Sequence, residues 1–459
     1  MSARTGPAAT IAPPRRALRG IWPAARLAWR SAPAWLLTHI AATAATAVLP
    51  VATVWLLKAV LDDLTAGRSG QLRVSALGLF VAGATAAGLA PVSRYLRNQL
   101  SRAIKVQSQS QLYLATARLA GLSRLEQPAF RDRLRMAQQI GQAGPGEVVD
   151  GLLGVGQRIL TVVGLLGVLT VINPLIAGLA VLGTVPALYM EVRLSRSRAA
   201  MMFAISPVER REIFYAELLT TLTAAKELRL LGLSELFRRR MLTELATADG
   251  HRRRLDAREM RTQLALGVAA AALTGAGLVW AIQAAASGRL GVGDVSAFVA
   301  AMAAVQAGLP SLVSQVAGVY HSLAMFDHYR SVLDEPSDLP VAAHPRPVPP
   351  LRRGIELRDV WFRYGPDQPW ILRGVNLTIP AGQALALVGL NGAGKSTMVK
   401  LLCRFYDPQR GSLHWDGLDL REFDVAELRQ RIGAVFQDYM AYDLTAAENI
   451  GLGDVAHLD

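Results

Sequence analysis

The stretch ALALVGLNGAGKSTMVKLL, residues 384–402, joins a short apolar run, a glycine-rich bend and the start of an amphipathic helix. Within it, GLNGAGKS (389–396) fits the pattern G-x-x-x-x-G-K-[ST]. Glycines permit backbone conformations that a Cβ disfavours, so successive N–H groups can point at one anion. The N-terminal end of the following helix attracts the same anion. The stretch therefore predicts a phosphate-binding loop between a strand and a helix.

Each residue type in this loop has a chemical task. The Lys395 ammonium can reach the β and γ phosphates of a nucleotide, and the Ser396 hydroxyl can ligate Mg²⁺. The Thr397 hydroxyl is placed to contact the α phosphate. The remaining predicted phosphate-binding residues supply backbone N–H groups and are Gly389, Leu390, Asn391, Gly392, Ala393 and Gly394. ATP and Mg²⁺ are the cofactors that we expect.

The sequence before this loop is typical of a membrane protein. Hydrophobic residues make up 52% of the 459 residues and charged residues only 18%, against about 25% in an ordinary soluble domain. The mean hydropathy is +0.28. Runs long enough to cross a hydrocarbon core of about 30 Å predict six helical spans, which lie near residues 32–57, 74–92, 152–172, 175–190, 264–283 and 295–313. A cleaved signal peptide and a buried soluble bundle are the alternatives, and the number and length of the runs disfavour both.

The basic residues predict the orientation of the spans. The net charge is +14, and the basic residues are concentrated in the N-terminal 30 residues and in the segments 94–150 and 191–262. By the positive-inside rule these parts are cytoplasmic. Both long segments are expected to be helices that extend the spans into the cytoplasm. Because the membrane accounts for the charge, nucleic acid is not an expected partner. His39 is interpreted as a lone packed residue, since a proton relay normally shows a chain of buried ionisable groups.

A change in composition marks a second domain after the last span. The proline-rich segment VAAHPRPVPP (341–350) predicts a semi-rigid linker. Three strands are predicted next, in IELRDVWFRY (355–364), ILRGVNLTI (371–379) and QALALVG (383–389), the last of them buried in a sheet. Cys403 is the only cysteine, which excludes an intrachain disulfide, and its apolar helix face predicts a small core residue.

These features resemble an ABC transporter of the exporter type, with six spans fused to a nucleotide-binding domain. The resemblance is strongest from IELRDVWFRYG to ENIGLG (355–453). It implies that Tyr364 stacks on adenine, that 389–397 is the Walker A loop, and that Gln437 is the Q-loop glutamine near Mg²⁺ or the attacking water. The metal-site residues are thus Ser396 and Gln437. The resemblance also places coupling helices near 127–133 and 217–227.

Some motifs of the family are not found in this sequence. No L-S-G-G-Q signature, no strand ending in Asp-Glu and no switch histidine follow Gln437. No catalytic carboxylate is therefore assigned, and the sequence is expected to be cut short within the nucleotide-binding domain, with an exposed apolar face. The alternatives are a membrane subunit that binds ATP but leaves hydrolysis to a partner chain, and an unrelated membrane-tethered P-loop protein such as a signalling GTPase.

The expected fold is an all-α six-helix transmembrane domain followed by an incomplete α/β P-loop NTPase domain of the ABC type. We predict a basic cytoplasmic N-terminus (1–30), an exporter-type transmembrane domain (31–330), a linker (331–350) and the first part of a nucleotide-binding domain (351–459). The expected function is ATP-driven export across the cell membrane, by a dimer with a second half-transporter. The substrate is not read from the sequence, although spans with few ionisable groups favour lipid-like, peptide or drug-like molecules over small ions.

Overall fold

The structure is a computed structural model that describes residues 20–340, 342–437, 439–440 and 442–453. These residues form two compact units. The first unit contains residues up to 112 and residues 136–331, and the second contains residues 113–135 and those from 332 onward.

Long helices form the first unit. The helices as far as Leu333 are α1 (Ile21–Ser31), α2 (Pro33–Thr65), α3 (Ser69–Ala117), α4 (Pro128–Ile172), α5 (Pro174–Thr220), α6 (Leu222–Leu230), α7 (Ser234–Ala286) and α8 (Val292–Leu333). Each predicted span lies within one of them, apart from Ala32 at the start of the first. As expected, the basic segments continue the apolar helices, so α7 is 53 residues long, or about 80 Å at 1.5 Å per residue.

Among the described residues, five helices are long and apolar enough to cross a membrane. They are α2, α3, residues Gly144–Ile172 of α4, α7 and α8. The predicted span 175–190 lies in α5, several of whose side chains are outside the described set. The predicted turn at Asn173 and Pro174 is present, because α4 ends at Ile172 and α5 begins at Pro174.

Small residues allow these helices to approach closely, as the sequence suggested. A Cβ on Gly277 would lie 2.6 Å from the ring of Phe298, and one on Gly164 would lie 2.6 Å from a methyl group of Val51. Phe298 belongs to a buried apolar cluster with Val54, Leu165, Leu169 and Val305.

Two ion pairs are formed by Lys58 near the end of α2. Lys58 pairs with Asp294 at 2.7 Å and with Asp62 at 2.9 Å. The pair with Asp294 joins the end of α2 to the start of α8.

The second unit is built on a small antiparallel sheet. Its strands are β1 (Gly354–Phe362), β2 (Leu372–Pro380), β3 (Arg410–Trp415) and β4 (Leu418–Asp419), in the order β2-β1-β3-β4. Leu357 of β1 lies opposite Leu377 of β2 and Leu413 of β3. The helices of this unit after Leu333 are α9 (Lys395–Leu402), α10 (Val425–Gln430) and α11 (Ala446–Gly451). The predicted strands at 355–364 and 371–379 are therefore confirmed with small shifts.

Buried apolar side chains hold the sheet, α9 and α10 together. Phe362, Leu401, Phe423 and Leu428 are almost completely buried in this core. Cys403, predicted to be a small core residue, is 4% exposed. Burial raises the pKa of its thiol, which keeps the thiol in its unreactive protonated form.

One predicted strand, at 383–389, is absent from the sheet, and the apolar segment 432–436 also lies outside it. Residues 383–389 and 432–436 have no regular secondary structure, and Val388 and Val435 are 94% and 97% exposed. The prediction that 383–389 is a buried strand is therefore wrong for this structure. An apolar run becomes a buried strand only where another strand pairs with its backbone, and no strand in the described ranges pairs with either segment. Both segments instead contribute to the exposed apolar face that the sequence predicted.

The predicted linker is bound to the second unit rather than free. Val348 is 3% exposed, and its N–H donates to Glu427 Oε1 at 2.9 Å. The indole N–H of Trp415 donates to the carbonyl of Pro349 at 2.9 Å. The prolines at 347, 349 and 350 lack N–H groups. The N–H groups that join this stretch to the second unit are those of Val348 and of Arg346, which donates to the carbonyl of Glu422 at 2.9 Å.

Candidate nucleotide-binding site

The glycine-rich loop adopts the backbone conformations that its composition predicts. Gly392 and Gly394 have φ values of +86° and +89°, a region that residues with a Cβ rarely adopt. Gly394 is also the N-cap residue of α9, directly before its first residue, Lys395. A Cβ there would lie 2.8 Å from the Leu372 side chain and 3.2 Å from the Ile371 side chain. Both conformation and space therefore require glycine at position 394.

The Lys395 side chain folds back over this loop. Its ammonium group donates to the carbonyl of Gly389 at 2.7 Å and to that of Leu390 at 2.8 Å. The ammonium thus lies against the two residues that open the loop, and residues 389–393 are exposed around it. A cation held by two exposed backbone carbonyls can exchange them for phosphate oxygens at little cost, since an exposed carbonyl can then bond to water.

Tyr364 lies beside the first turn of α9. Its hydroxyl is 3.1 Å from the hydroxyl of Thr397, which is buried. The ring packs edge to face against Phe362 and Tyr406, with centroids 5.0 and 5.3 Å apart. The structure therefore brings the predicted adenine-stacking tyrosine next to the predicted phosphate loop, on a rigid aromatic support.

The two predicted metal-site residues differ in their positions. Ser396 is exposed on the first turn of α9, where its hydroxyl is open to a ligand. Gln437 is exposed in a turn, and in the described part of the chain no hydrogen bond joins it to the glycine-rich loop. Among the described residues there is also no cluster of three His, Cys, Asp or Glu side chains that could hold a metal ion by themselves.

A contact that sequence reasoning missed joins the 120–126 segment to this site. The Glu126 carboxylate accepts a hydrogen bond from Lys400 of α9 at 2.6 Å and a second from the hydroxyl of Tyr406. The Lys400 ammonium lies 5.3 Å from the centroid of the Tyr364 ring. Burial alone would raise the pKa of Glu126, but the hydrogen bonds from Lys400 and Tyr406 lower it overall. Glu126 is therefore linked through Lys400 to the aromatic group beside the loop.

Residues 120–122 are held by three further contacts in the second unit. The N–H of Leu122 donates to the carbonyl of Phe405 at 3.1 Å, and that of Gly121 to Asp338 Oδ1 at 2.7 Å. The Arg429 guanidinium donates to the carbonyl of Ala120 at 2.6 Å. These contacts and those of Glu126 lie directly before the segment 127–133, in which the family resemblance places a coupling helix. Backbone groups make most of them, so side-chain periodicity gave no signal for this position.

The donor set of the loop fits a nucleotide. The left-handed glycines, the helix start at Lys395 and the exposed Ser396 hydroxyl are the groups that a triphosphate with Mg²⁺ requires. Gln437 is not one of these groups in the structure, because it lies in an exposed turn.

Comparison with known proteins agrees with this interpretation. Residues 372–458 match the protein family described as ABC transporter. The chain is 24% identical over 341 residues to the subtilin transport ATP-binding protein SpaT of Bacillus subtilis, which covers 73% of this chain and 55% of that protein. It is 48% identical over 108 residues to the mitochondrial iron-sulfur clusters transporter atm1 of Neurospora crassa, which covers 23% of this chain and 15% of that protein.

Each of these matches thus spans about half or less of the relative's length. Among solved structures, a bacterial Atm1-family ABC exporter with ATP bound has a TM-score of 0.69 at 19% identity, covering 95% of this chain and 74% of that one. This likeness confirms the expected fold class, helical spans followed by an ABC domain. Residues 372–458 therefore match the ABC transporter family, and the chain has the fold of an ABC exporter.

Proposed function

We propose that the chain uses ATP bound at residues 389–397 to drive the export of a substrate across the cell membrane. The observation that carries this proposal is the glycine-rich loop that leads into α9, with two left-handed glycines and an ammonium held over the loop. The relationship to ABC exporters supports the transport role. The membrane-crossing part would be residues 31–330 and the nucleotide-binding part residues 351–459.

The residues of the loop would divide the binding of the nucleotide among them. Backbone N–H groups of 389–394 and the start of α9 would hold the phosphates, and Lys395 would exchange its two carbonyl partners for β- and γ-phosphate oxygens. Ser396 and Gln437 would hold Mg²⁺, and Thr397 would bind the α phosphate. The ring of Tyr364 would stack on the adenine base of ATP. The bound ATP would supply the free energy for transport, and this chain would orient it and exclude water.

The location and partners belong to the same proposal. The basic segments 94–150 and 191–262 would face the cytoplasm, together with the N-terminus and the nucleotide-binding part. A second half-transporter, identical or different, would form the complete dimeric transporter with this chain. Residues 120–126 contact Lys400 of α9 and Arg429. These contacts support a role of this segment in coupling ATP binding and release to movement of the membrane-crossing helices.

The test is nucleotide binding and turnover by the purified chain in lipid nanodiscs. Labelled ATP should bind saturably with Mg²⁺, and Lys395→Ala should weaken this binding at least tenfold. The exposed Lys105→Ala, outside the loop and both predicted coupling helices, is the matched control and should bind ATP like wild type. Binding without turnover, with turnover restored by a second chain, would favour the ATP-binding subunit that leaves hydrolysis to a partner. Absence of ATP binding, or preference for GTP, would overturn the proposal.

A further inference from the structure

A polar cavity lies among the helices of the first unit. Its volume is about 650 Å³, and its walls come from α2, α3, α4 and α8. Pockets of 300–1,000 Å³ are typical for small-molecule ligands. Gly151, Gly154 and Gly318 line it without side chains, which leaves room between the helices. The cavity belongs to one chain and lies outside the nucleotide site.

The side chains around this cavity carry unmet hydrogen-bonding capacity. Among the described residues, four buried side-chain polar atoms have no hydrogen-bond partner, and three of them, His39 Nδ1, Ser93 Oγ and Gln315 Oε1, belong to residues that line the cavity. His39 itself is 5% exposed. A buried polar group without a hydrogen-bond partner is destabilising. The three atoms together indicate that a polar molecule belongs in the cavity.

The sequence predicted that His39 is a lone packed residue, but in the structure its ring contacts a carboxylate. Its Nε2 is 3.3 Å from Asp150 Oδ1, and Arg97 Nη1 is 3.4 Å from Asp150 Oδ2. A carboxylate only accepts hydrogen bonds, so Nε2 donates to Asp150, and Nδ1 is the ring nitrogen left without a partner. Gln315 Oε1 is an acceptor, and the Ser93 hydroxyl can accept as well as donate. A ligand with hydrogen-bond donors can therefore satisfy both Gln315 and Ser93.

The charges around the cavity are balanced. Asp150 is paired with Arg97 and His39. Arg94 and Glu147, which carry opposite charges, also line the cavity. A hydrocarbon chain would leave His39 Nδ1, Ser93 Oγ and Gln315 Oε1 without partners, at the cost that buried polar groups incur. A molecule with a single charge would satisfy only one of Arg94 and Glu147.

We infer that this cavity binds a small zwitterion that carries hydrogen-bond donors, such as a short peptide or a zwitterionic lipid headgroup. Its amino and amide N–H groups would meet His39, Gln315 and Glu147, and its anionic group would meet Arg94. As a statement about the transported substrate, this inference rests on the proposed function. Binding itself needs no nucleotide, so the two can fail separately.

The binding test uses the full chain in detergent without nucleotide, with triglycine as the probe. Calorimetry should show saturable binding of triglycine, and triglycine blocked at both ends by acetyl and amide groups should bind at least tenfold more weakly. Gly318→Leu should abolish binding by filling the cavity, because a Cβ at this position meets nothing within 4 Å. The matched control is Gly267→Leu, whose added Cβ also meets nothing within 4 Å and which lies outside the cavity.

A second measurement does not depend on the affinity for one probe. In a Cys403→Ser background, Ser93→Cys should react with both cationic and anionic methanethiosulfonate reagents, and Gly318→Leu should slow both reactions at least tenfold. Slowing by triglycine indicates a free solute, and slowing only by short-chain phosphatidylethanolamine indicates a headgroup. Either supports the inference.

The inference is overturned by any of three results. These are no protection by either zwitterion, equal binding of the blocked peptide, or unchanged binding in Gly318→Leu. Labelled ATP binding to the same preparations separates this failure from failure of the proposed function, since Gly318→Leu should bind ATP like wild type.

Discussion

At the scale of single residues, Gly394 is the position of the glycine-rich loop that tolerates a side chain least. Its φ of +89° costs a residue with a Cβ about 1–2 kcal/mol. The contact of 2.8 Å that the new Cβ would make with Leu372 adds about 1–3 kcal/mol of overpacking. Gly394→Ala should therefore weaken binding of labelled ATP at least tenfold.

Two other Gly→Ala variants separate the effect of backbone conformation on ATP binding from the effect of limited space. Gly392 has a φ of +86° but open space around it, so Gly392→Ala should lose less affinity than Gly394→Ala. Gly433→Ala meets neither obstacle and should bind as wild type does. Equal losses in all three variants would show that the loop geometry does not control binding.

Arg404 is the residue whose loss should most destabilise the second unit. It is 1% exposed and donates to the carbonyls of Phe423 at 3.0 Å and Pro340 at 2.9 Å, while its Nε pairs with Asp407. Removing one member of a buried ion pair costs roughly 3–5 kcal/mol. Arg404→Ala should lower the melting temperature of the chain in detergent by several degrees. Arg352→Ala, at an exposed position, should leave it unchanged, and equal melting of both variants would contradict this role.

At the scale of elements, the contact between Glu126 and α9 should depend on pH. Its lowered pKa means that its contribution to stability is present above the ordinary value of 4.5 and is lost as the pH falls through the lowered value. At pH 7, Glu126→Gln should have a lower free energy of unfolding than wild type, by up to about 1 kcal/mol because the pair is partly exposed. The difference should narrow as the pH falls below the ordinary value of 4.5 and through the lowered pKa. The exposed Glu227→Gln should show no such trend, and a pH-independent gap would refute the assignment.

The backbone N–H groups of residues 121 and 122 should be protected from hydrogen exchange by their hydrogen bonds within the second unit. The N–H groups of Gly121 and Leu122 are hydrogen-bonded to Asp338 and Phe405, and Arg429 holds the adjacent carbonyl of Ala120. Arg429→Gln should speed exchange at 121 and 122 at least tenfold, measured by mass spectrometry on the full chain. Arg431→Gln, an exposed neighbour, should not. Unchanged exchange in Arg429→Gln would mean that the segment is held by other contacts.

Elements were predictable from the sequence where local pattern and burial agree. The long apolar helices and the strands β1 and β2 follow from periodicity. The same reasoning failed at 383–389, because whether an apolar run becomes a strand depends on a pairing partner that the run itself does not contain. The contacts of Glu126 and Arg429 were also out of reach, since their partners are between 270 and 310 positions away in the chain.

At the scale of the whole molecule, the positive-inside arrangement predicts which turns face outward. In a Cys403→Ser background, single cysteines at Arg68 and Ser287 should react with a membrane-impermeant maleimide in intact cells, because they lie in the turns after α2 and α7. A cysteine at Leu230, which is 85% exposed, should react only after permeabilisation. The reverse pattern would invert the proposed orientation.

The candidate site was predicted more completely than the cavity. A phosphate loop is contiguous in sequence, so its residues and their tasks follow from one motif. The cavity unites His39, Ser93, Asp150 and Gln315 from four helices, and no local pattern relates them. Only the packed helices bring the unpaired atoms together.

The most direct test of the central claim is photolabelling of the full chain in nanodiscs with 8-azido-ATP, followed by mapping of the labelled peptide. We expect the label on the peptide that contains Tyr364, its loss in the presence of excess ATP, and its near absence in Lys395→Ala. A label elsewhere in the chain, or an equal yield in Lys395→Ala, would contradict the claim that residues 389–397 hold the nucleotide.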